Sequence, residues 1–471
     1  MKMLKLLYAT LCLCVSSFAL FANNVAISDV SLTNDSTLTF KVRWDNSWRT
    51  TSAPNNHDAV WLFVKKRDCA SLQWSHVNLK PTVASHSTAD PLEIYIDGRD
   101  GVQNAKGVFV RRAAVGNGSI ASTTVTLTMS GVGNGTYDFK VFGIEMVQIP
   151  QGGFQVGDGA SAYTLRVGNG SNTVPTTPYN VTSEAAITYG TGAANIHSIT
   201  NTSYYPQTMP ANYPKGFKEI YCMKYEISQG QYVDFVYTLL SDQGTARQII
   251  SSASRLEITG TWPVLVASKP HRAMGNLSWA DMLAYLDWSA LRPMSEMEFE
   301  KICRGPVNAV QNEYPWGTSI ITQGTTLATD GTASETVTNA ITAGGGIANY
   351  GTGGVSGVLR VGFAAKPATN RLTSGASYYG VMEMAGNVWE MVVSNIESAG
   401  VAFTGALGDG EVALTPTPGV HNVIGWPANT GKGLRGGAFD SDANALRISD
   451  RSAITTIAAG RVINVGGRGV R

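Results

Sequence analysis

Asp440, Asp442 and Asp450 share one short stretch of chain with Arg447 and Arg451. Acids and guanidinium groups at this density suit a cleft that recognises a polar ligand. They equally suit a loop closed by ion pairs, which are common and individually weak. Together with His421, the same acids would offer a hard metal oxygen and imidazole ligands. Glu296, Glu298 and Glu300 alternate at a helix start, where they read as capping, dipole-complementing and solvated acids rather than a catalytic pair. GKGLRG (431–436) has the spacing of a dinucleotide-binding loop. A loop precedes it and a strand follows, so the required strand-to-helix setting is missing.

Sulfur and imidazole chemistry is sparse. Cys12 and Cys14 fall in the N-terminal apolar run, leaving Cys69, Cys222 and Cys303. This is no disulfide scaffold. Two readings stand: a Cys222–Cys303 bridge formed in an oxidising compartment, or three small buried hydrophobes. His57, His76, His86, His197, His271 and His421 are scattered, without metal-ligand spacing.

The elements that must position these residues fall into two groups. Seven short runs between 25 and 143 are rich in Val, Ile, Phe and Tyr: VAISDVSL, TLTFKVRW, AVWLFVKK, LEIYID, GVFVRR, STTVTLTM and YDFKVFGI. Turn-forming clusters separate them, which predicts an all-β, immunoglobulin-like sandwich over 24–143. Trp44, Trp48, Trp61 and Trp74 are expected in its core. EMVQIPQGGFQVGD (145–158) then opens a second unit, with a loop-rich insertion at 159–215.

Three helices are predicted in that unit, each from a start signal. Ser228 with Gln231, Ser278 with Asp281, and Ser295 with Glu298 each precede apolar residues at helical spacing. Gly305 is placed to stop the third. Residues 306–380 return to loops, and short strands around LRGGAF and GGRGVR close the chain.

At the N-terminus, Lys2 and Lys5 precede an apolar run from Leu6 to Phe21, and Ala22 follows. This predicts a signal peptide over 1–22 and an exported mature chain without a membrane span. The formal net charge is +1 and no basic run is visible, which argues against nucleic-acid partners. Hydrophobic residues make up 43% and charged residues 15%, enough apolar material for real cores.

The order of segments in 145–471 resembles the formylglycine-generating enzyme, or sulfatase-modifying factor, family. EMVQIPQGGFQVG, YCMKYEISQGQYVDFV, LRPMSEMEFEKICRG, EYPWG, YYGVMEMAGNVWEMV, LRGGAF and GGRGVR are similar to its landmarks and follow their order. The resemblance implies an α+β, C-type-lectin-like fold. It also implies a calcium site made by Glu383, the carbonyls of Gly386 and Val388, and Glu390. Such a site is chemically sensible, because calcium takes hard oxygen ligands. Asn349 matches one position of a second family calcium site, whose acids are missing.

The departures from the family bear on activity. Active members carry two copper-binding cysteines after the Gly-Gly-Ser segment. Here Asp440, Ser441, Asp442 and Ala445 stand in that region, and no cysteine follows Cys303. Soft thiolates are what copper(I) prefers, so copper is not expected. The histidines and helical domain of the iron-dependent relatives are also lacking. The sequence therefore predicts an exported, non-catalytic binding or assembly module. Its partner would be a protein or glycan at the cell envelope, or further copies of itself. The alternative is a diverged metal-dependent enzyme, oxidoreductase-like, with a cleft rebuilt near 421–451.

Overall fold

The computed structural model describes residues 24–170, 177–198, 208–366, 368–456 and 459–471. The expected signal peptide and parts of the 159–215 insertion lie outside the described residues. Among those described, no helix is long and apolar enough to cross a membrane.

Nine strands build the N-terminal region: β1 (Ala26–Asn34), β2 (Thr37–Arg49), β3 (Asp58–Asp68), β4 (Trp74–Leu79), β5 (Ser87–Thr88), β6 (Leu92–Tyr95), β7 (Val108–Arg112), β8 (Gly116–Ser130) and β9 (Tyr137–Ile149). Period-two burial follows from the pleat. In β2, Leu38, Phe40, Val42 and Trp44 point inward while Lys41 and Arg43 are exposed. They share a core with Val125, Leu127 and Met129 of β8 and with Val60, Leu62 and Val64 of β3.

β3 is buried on both faces, which explains its unbroken apolar run AVWLFV. Its alternate residues Ala59, Trp61 and Phe63 belong to a different core, built mostly by the second half of the chain. Trp44 and Trp61 are therefore both buried, but in separate cores. Trp48 and Trp74 are only half-buried.

β9 carries the sheet from one region into the other. It pairs with β3 from Tyr137 to Val147, and its last residues pair with the strand Ile220–Met223. Gly469–Val470 and Arg292–Pro293 extend the same sheet. Residues 143–145, where the sequence changes character, thus lie inside one continuous strand. Arg471 reaches back to the N-terminal region. It donates to Asp97 at 2.8 Å and to Asp100 at 2.6 Å, and its guanidinium lies 4.1 Å from the Trp61 ring centre.

The second region holds helices α1 (Gln229–Tyr237), α2 (Ser241–Arg247), α3 (Trp279–Trp288) and α4 (Glu296–Arg304). Capping boxes start α1, α3 and α4 at Ser228, Ser278 and Ser295, as their sequences predict. Gly305 ends α4 with a φ of 72°, which favours glycine. α2 carries no strong apolar period and was not anticipated.

One expectation needs correction, and one open choice is decided. Glu296 and Glu300 are not solvated: α4 is wholly buried, and they form an internal ion-pair network. Arg435 donates to Glu296 at 3.1 Å and to Glu300 at 2.8 Å, while Arg451 donates to Glu296 at 2.7 Å. Glu298 does cap the helix, and Arg292 holds its carboxylate through two hydrogen bonds. Cys222 and Cys303 are free thiols in one apolar cluster, so the bridge is not formed, and Cys69 is exposed.

Candidate functional site

The GNVWE turn leads into Trp389–Val393, the middle strand of a small three-stranded sheet with Lys432–Arg435 and Val465–Gly466. Gly386 has a φ of 79°, and a Cβ there would lie 2.4 Å from the Asn349 carbonyl oxygen. Only glycine fits that approach. Asn387 follows with a φ of 68° and ties three segments together. Its amide nitrogen donates to the Asn349 carbonyl at 2.9 Å. Its Oδ1 accepts from Leu359 N at 2.8 Å, and its Nδ2 donates to Glu226 Oε2 at 2.5 Å. Glu226 Oε1 accepts from Val388 N at 3.1 Å.

Glu383 and Glu390 flank this turn, and both are buried. Glu383 Oε2 accepts from Gly362 N at 2.9 Å. Glu390 is the second residue of the strand Trp389–Val393, and its Oε1 accepts from Arg468 Nε at 2.6 Å. Arg468 also donates to the Glu383 carbonyl at 3.2 Å. Burial raises all three carboxyls. Glu383 is pushed up to about 7, and Glu226 is raised further by the nearby Glu390 and Glu383.

Among the described residues no three His, Cys, Asp or Glu side chains group as metal ligands, at this turn or elsewhere, so a hard cation here would depend on backbone carbonyls as well; two features favour it. Glu390 Oε2 is buried without a hydrogen-bond partner. Three neighbouring carboxyls also share the charge of Arg468, so a divalent ion would offset the remainder. Glu383, Glu390 and the carbonyls of Gly386 and Val388 would hold it, and its contribution would be to tie the turn together. Sequence reasoning missed Glu226 and Arg468. Both lie in quoted landmark segments, but no spacing rule links either to the turn.

The second predicted cluster is divided by the fold. Asp440 is exposed and accepts from Asn464 Nδ2 at 2.9 Å. Asp442 is exposed at the start of a short turn and makes no side-chain cap. Arg447 is half-buried, with its charge near Tyr314. Asp450 is buried, with Oδ1 accepting from Ser452 N at 3.0 Å. Arg451 belongs to the network beneath α4. His421 packs on Trp426 with ring centres 5.2 Å apart, in a depression shared with Trp279 and Leu283. Among the described residues, no three His, Cys, Asp or Glu side chains group as metal ligands.

Comparison with known proteins follows the same division of the chain. A family model described as the sulfatase-modifying factor enzyme 1-like domain matches residues 143–471. Among solved structures, Treponema denticola variable protein 1 is similar at 12% identity. That match covers 70% of this chain and 95% of the other, with a TM-score of 0.32. No curated protein matches. With landmark segments in order and the matched region spanning more than half its length, this chain belongs to the FGE-sulfatase family.

Proposed function

We propose that this protein is an exported, non-catalytic member of its family that works by binding. The observation that carries this reading is the placement of sulfur. The segment after Gly436-Gly437 has no cysteine, and the two thiols of the matched domain are fully buried in an apolar cluster. Burial pushes Cys222 up to about 12 and Cys303 well above its ordinary value. A thiol in that state is a poor nucleophile and a poor metal ligand.

The finer architecture belongs to this proposal. It comprises a C-type-lectin-like arrangement for 145–471 and an immunoglobulin-like sandwich for the strands before it. The packing of β2 and β8 against one face of β3 over a common core supports the sandwich. Lys2, Lys5 and the apolar run after them support export. A calcium ion at Glu383, Gly386, Val388 and Glu390 would be structural. The partner would be a protein or glycan at the cell envelope, or another copy of this chain.

The test is oxygen consumption by the purified protein with a cysteine-containing peptide, with and without copper or iron. No turnover is expected. Robust turnover under any of these conditions overturns the proposal.

A further inference from the structure

Three charged side chains meet on one face of the sheet that joins the two regions. Lys224 follows the strand Ile220–Met223 and lies opposite Glu145 of β9, with its amide nitrogen donating to the Glu145 carbonyl at 2.9 Å. Asp58 opens β3 opposite Val147 of β9. Glu145 and Val147 are alternate residues of one strand and share a face, so the three groups converge. Lys224 Nζ lies 3.0 Å from Glu145 Oε2 and 3.9 Å from Asp58 Oδ2. All three residues are buried, Asp58 completely.

Asp58 is fixed by three donors from β2. Ser47 Oγ and Trp48 N donate to Oδ1 at 2.8 and 2.9 Å, and Trp44 Nε1 donates to Oδ2 at 2.9 Å. Paired donors of this kind stabilise negative charge as it grows on a carbonyl oxygen. Aromatic rings close the site: Lys224 Nζ is 4.9 Å from the Trp48 ring centre and 5.4 Å from that of Tyr225.

The charges here do not balance. One ammonium faces two carboxyls, and Glu145 Oε1 is buried without a hydrogen-bond partner. Burial raises both Asp58 and Glu145. Burial also works against the Lys224 charge, but Glu145 foremost outweighs it and the amine is held as an ammonium. Joining Lys224 to one of the acids removes two costly buried charges.

We propose that Lys224 and Asp58 condense into an intramolecular isopeptide bond. It would tie β3, which lies before the region that the family model covers, to the matched domain. Nζ bonds to Asp58 Cγ and the Cγ–Oδ2 bond breaks. Oδ2 leaves as water with two of the ammonium protons, and the third stays on the amide nitrogen. Glu145 carries those two protons from Nζ to Oδ2 in turn, so Nζ has a free electron pair when it attacks. Oδ1 remains as the amide oxygen on its two donors. Nothing is oxidised or reduced. Ser47, Trp48 and Lys224 border a cleft of 570 Å³, which gives the water a way out. Well-oriented groups in one molecule react as if at effective concentrations on the order of 10⁵–10⁸ M, which favours the amide. This inference goes beyond the binding reading and does not depend on it, because one self-condensation is not turnover.

The test is intact mass spectrometry of the full mature chain, denatured and reduced. Most of the population should be lighter by one water than its sequence requires. A tryptic digest should give a branched peptide joining the Asp58 and Lys224 segments, with no cleavage after Lys224. Lys224→Arg, whose guanidinium cannot make this bond, supplies the full-mass reference whether or not it folds. Glu145→Gln should slow bond formation roughly a hundredfold or more, followed as the bonded fraction over time after refolding from urea. A wild-type chain at full mass overturns the proposal, as does a water lost at any other pair of residues. Equally fast bond formation in Glu145→Gln overturns it too, because the proton relay would then be idle.

Discussion

Asn56 Nδ2 donates to the Tyr379 carbonyl at 2.9 Å, linking residues 323 positions apart. The same nitrogen donates to the Gln148 carbonyl at 3.1 Å, so one amide ties β9, the N-terminal strands and a loop of the matched domain. Trp61 Nε1 and Lys65 Nζ add bonds to the carbonyls of Ser289 and Trp288 at 2.9 and 2.8 Å. The two regions therefore share a sheet, a core and buried hydrogen bonds. We predict a single cooperative thermal transition for the full mature chain. Two separated transitions by calorimetry would contradict the shared core. Asn56→Ala should cost about 1–3 kcal/mol, because it leaves buried polar groups unpaired.

The network beneath α4 makes a second prediction. Arg435 and Arg451 are fully buried against Glu296, and Arg304 is buried against Glu300 and Glu313. Removing one member strands the others in a medium of low polarity. Arg435→Ala should lower unfolding free energy by about 3–5 kcal/mol in a denaturant titration. A change under 1 kcal/mol, on the order of an exposed pair, would show that water reaches the network.

Calcium provides a third. If Glu390 Oε2 and its neighbours hold the ion, binding to the native state alone adds about 2.7 kcal/mol at a hundredfold excess over Kd. Calcium should raise the melting temperature, a chelator should reverse it, and Glu383→Ala should abolish the response. An unchanged melting temperature with chelator, and no calcium co-purifying, would remove the site.

Asp287, near the end of α3, makes a prediction about pH. Burial pushes its carboxyl up to about 7, although the amides of Asp409 and Asn422 each donate to it at 2.9 Å. Its pKa in the folded state lies above its unfolded value, so the folded chain binds more protons between about 4 and 7. Asp287 therefore contributes stability at pH 4 that is lost as pH rises through 7, up to about 4 kcal/mol. Asp287→Asn should flatten the slope of unfolding free energy across that window, whatever it does to the level. An unaltered slope would mean that the carboxyl titrates normally.

Thiol counting makes a fifth. In the chain without residues 1–22, Cys69 should react quickly with a thiol reagent. Cys222 and Cys303 should react only on unfolding. Full native reactivity of all three would contradict the apolar cluster, and failure of the buried pair to react after denaturation would indicate a bridge.

Local chemistry made much of the fold legible in the sequence. Capping at Ser228, Ser278 and Ser295 is a three-residue pattern, so α1, α3 and α4 could be read directly. Alternation in TLTFKVRW marked β2, whereas the close approach of Gly386 to Asn349 appears only in the structure. α2 was missed because SDQGTAR carries no apolar period, and its place is set by contacts with distant chain. The tryptophans announced burial, but not that Trp44 and Trp61 would serve different cores.

The sequence by itself determined the family, the absence of any cysteine after Cys303 and the start of each capped helix. These depend on residue identity and short spacing. Tertiary structure alone decided which acids meet which bases. Asp440 and Arg451 are close in sequence, yet one is exposed beside Asn464 while the other is buried with Glu296. Glu226, Glu390 and Arg468 are far apart in sequence, yet the fold brings them around one turn. Side-chain charge acts over a few ångströms of space, and only the folded path of the chain sets that distance.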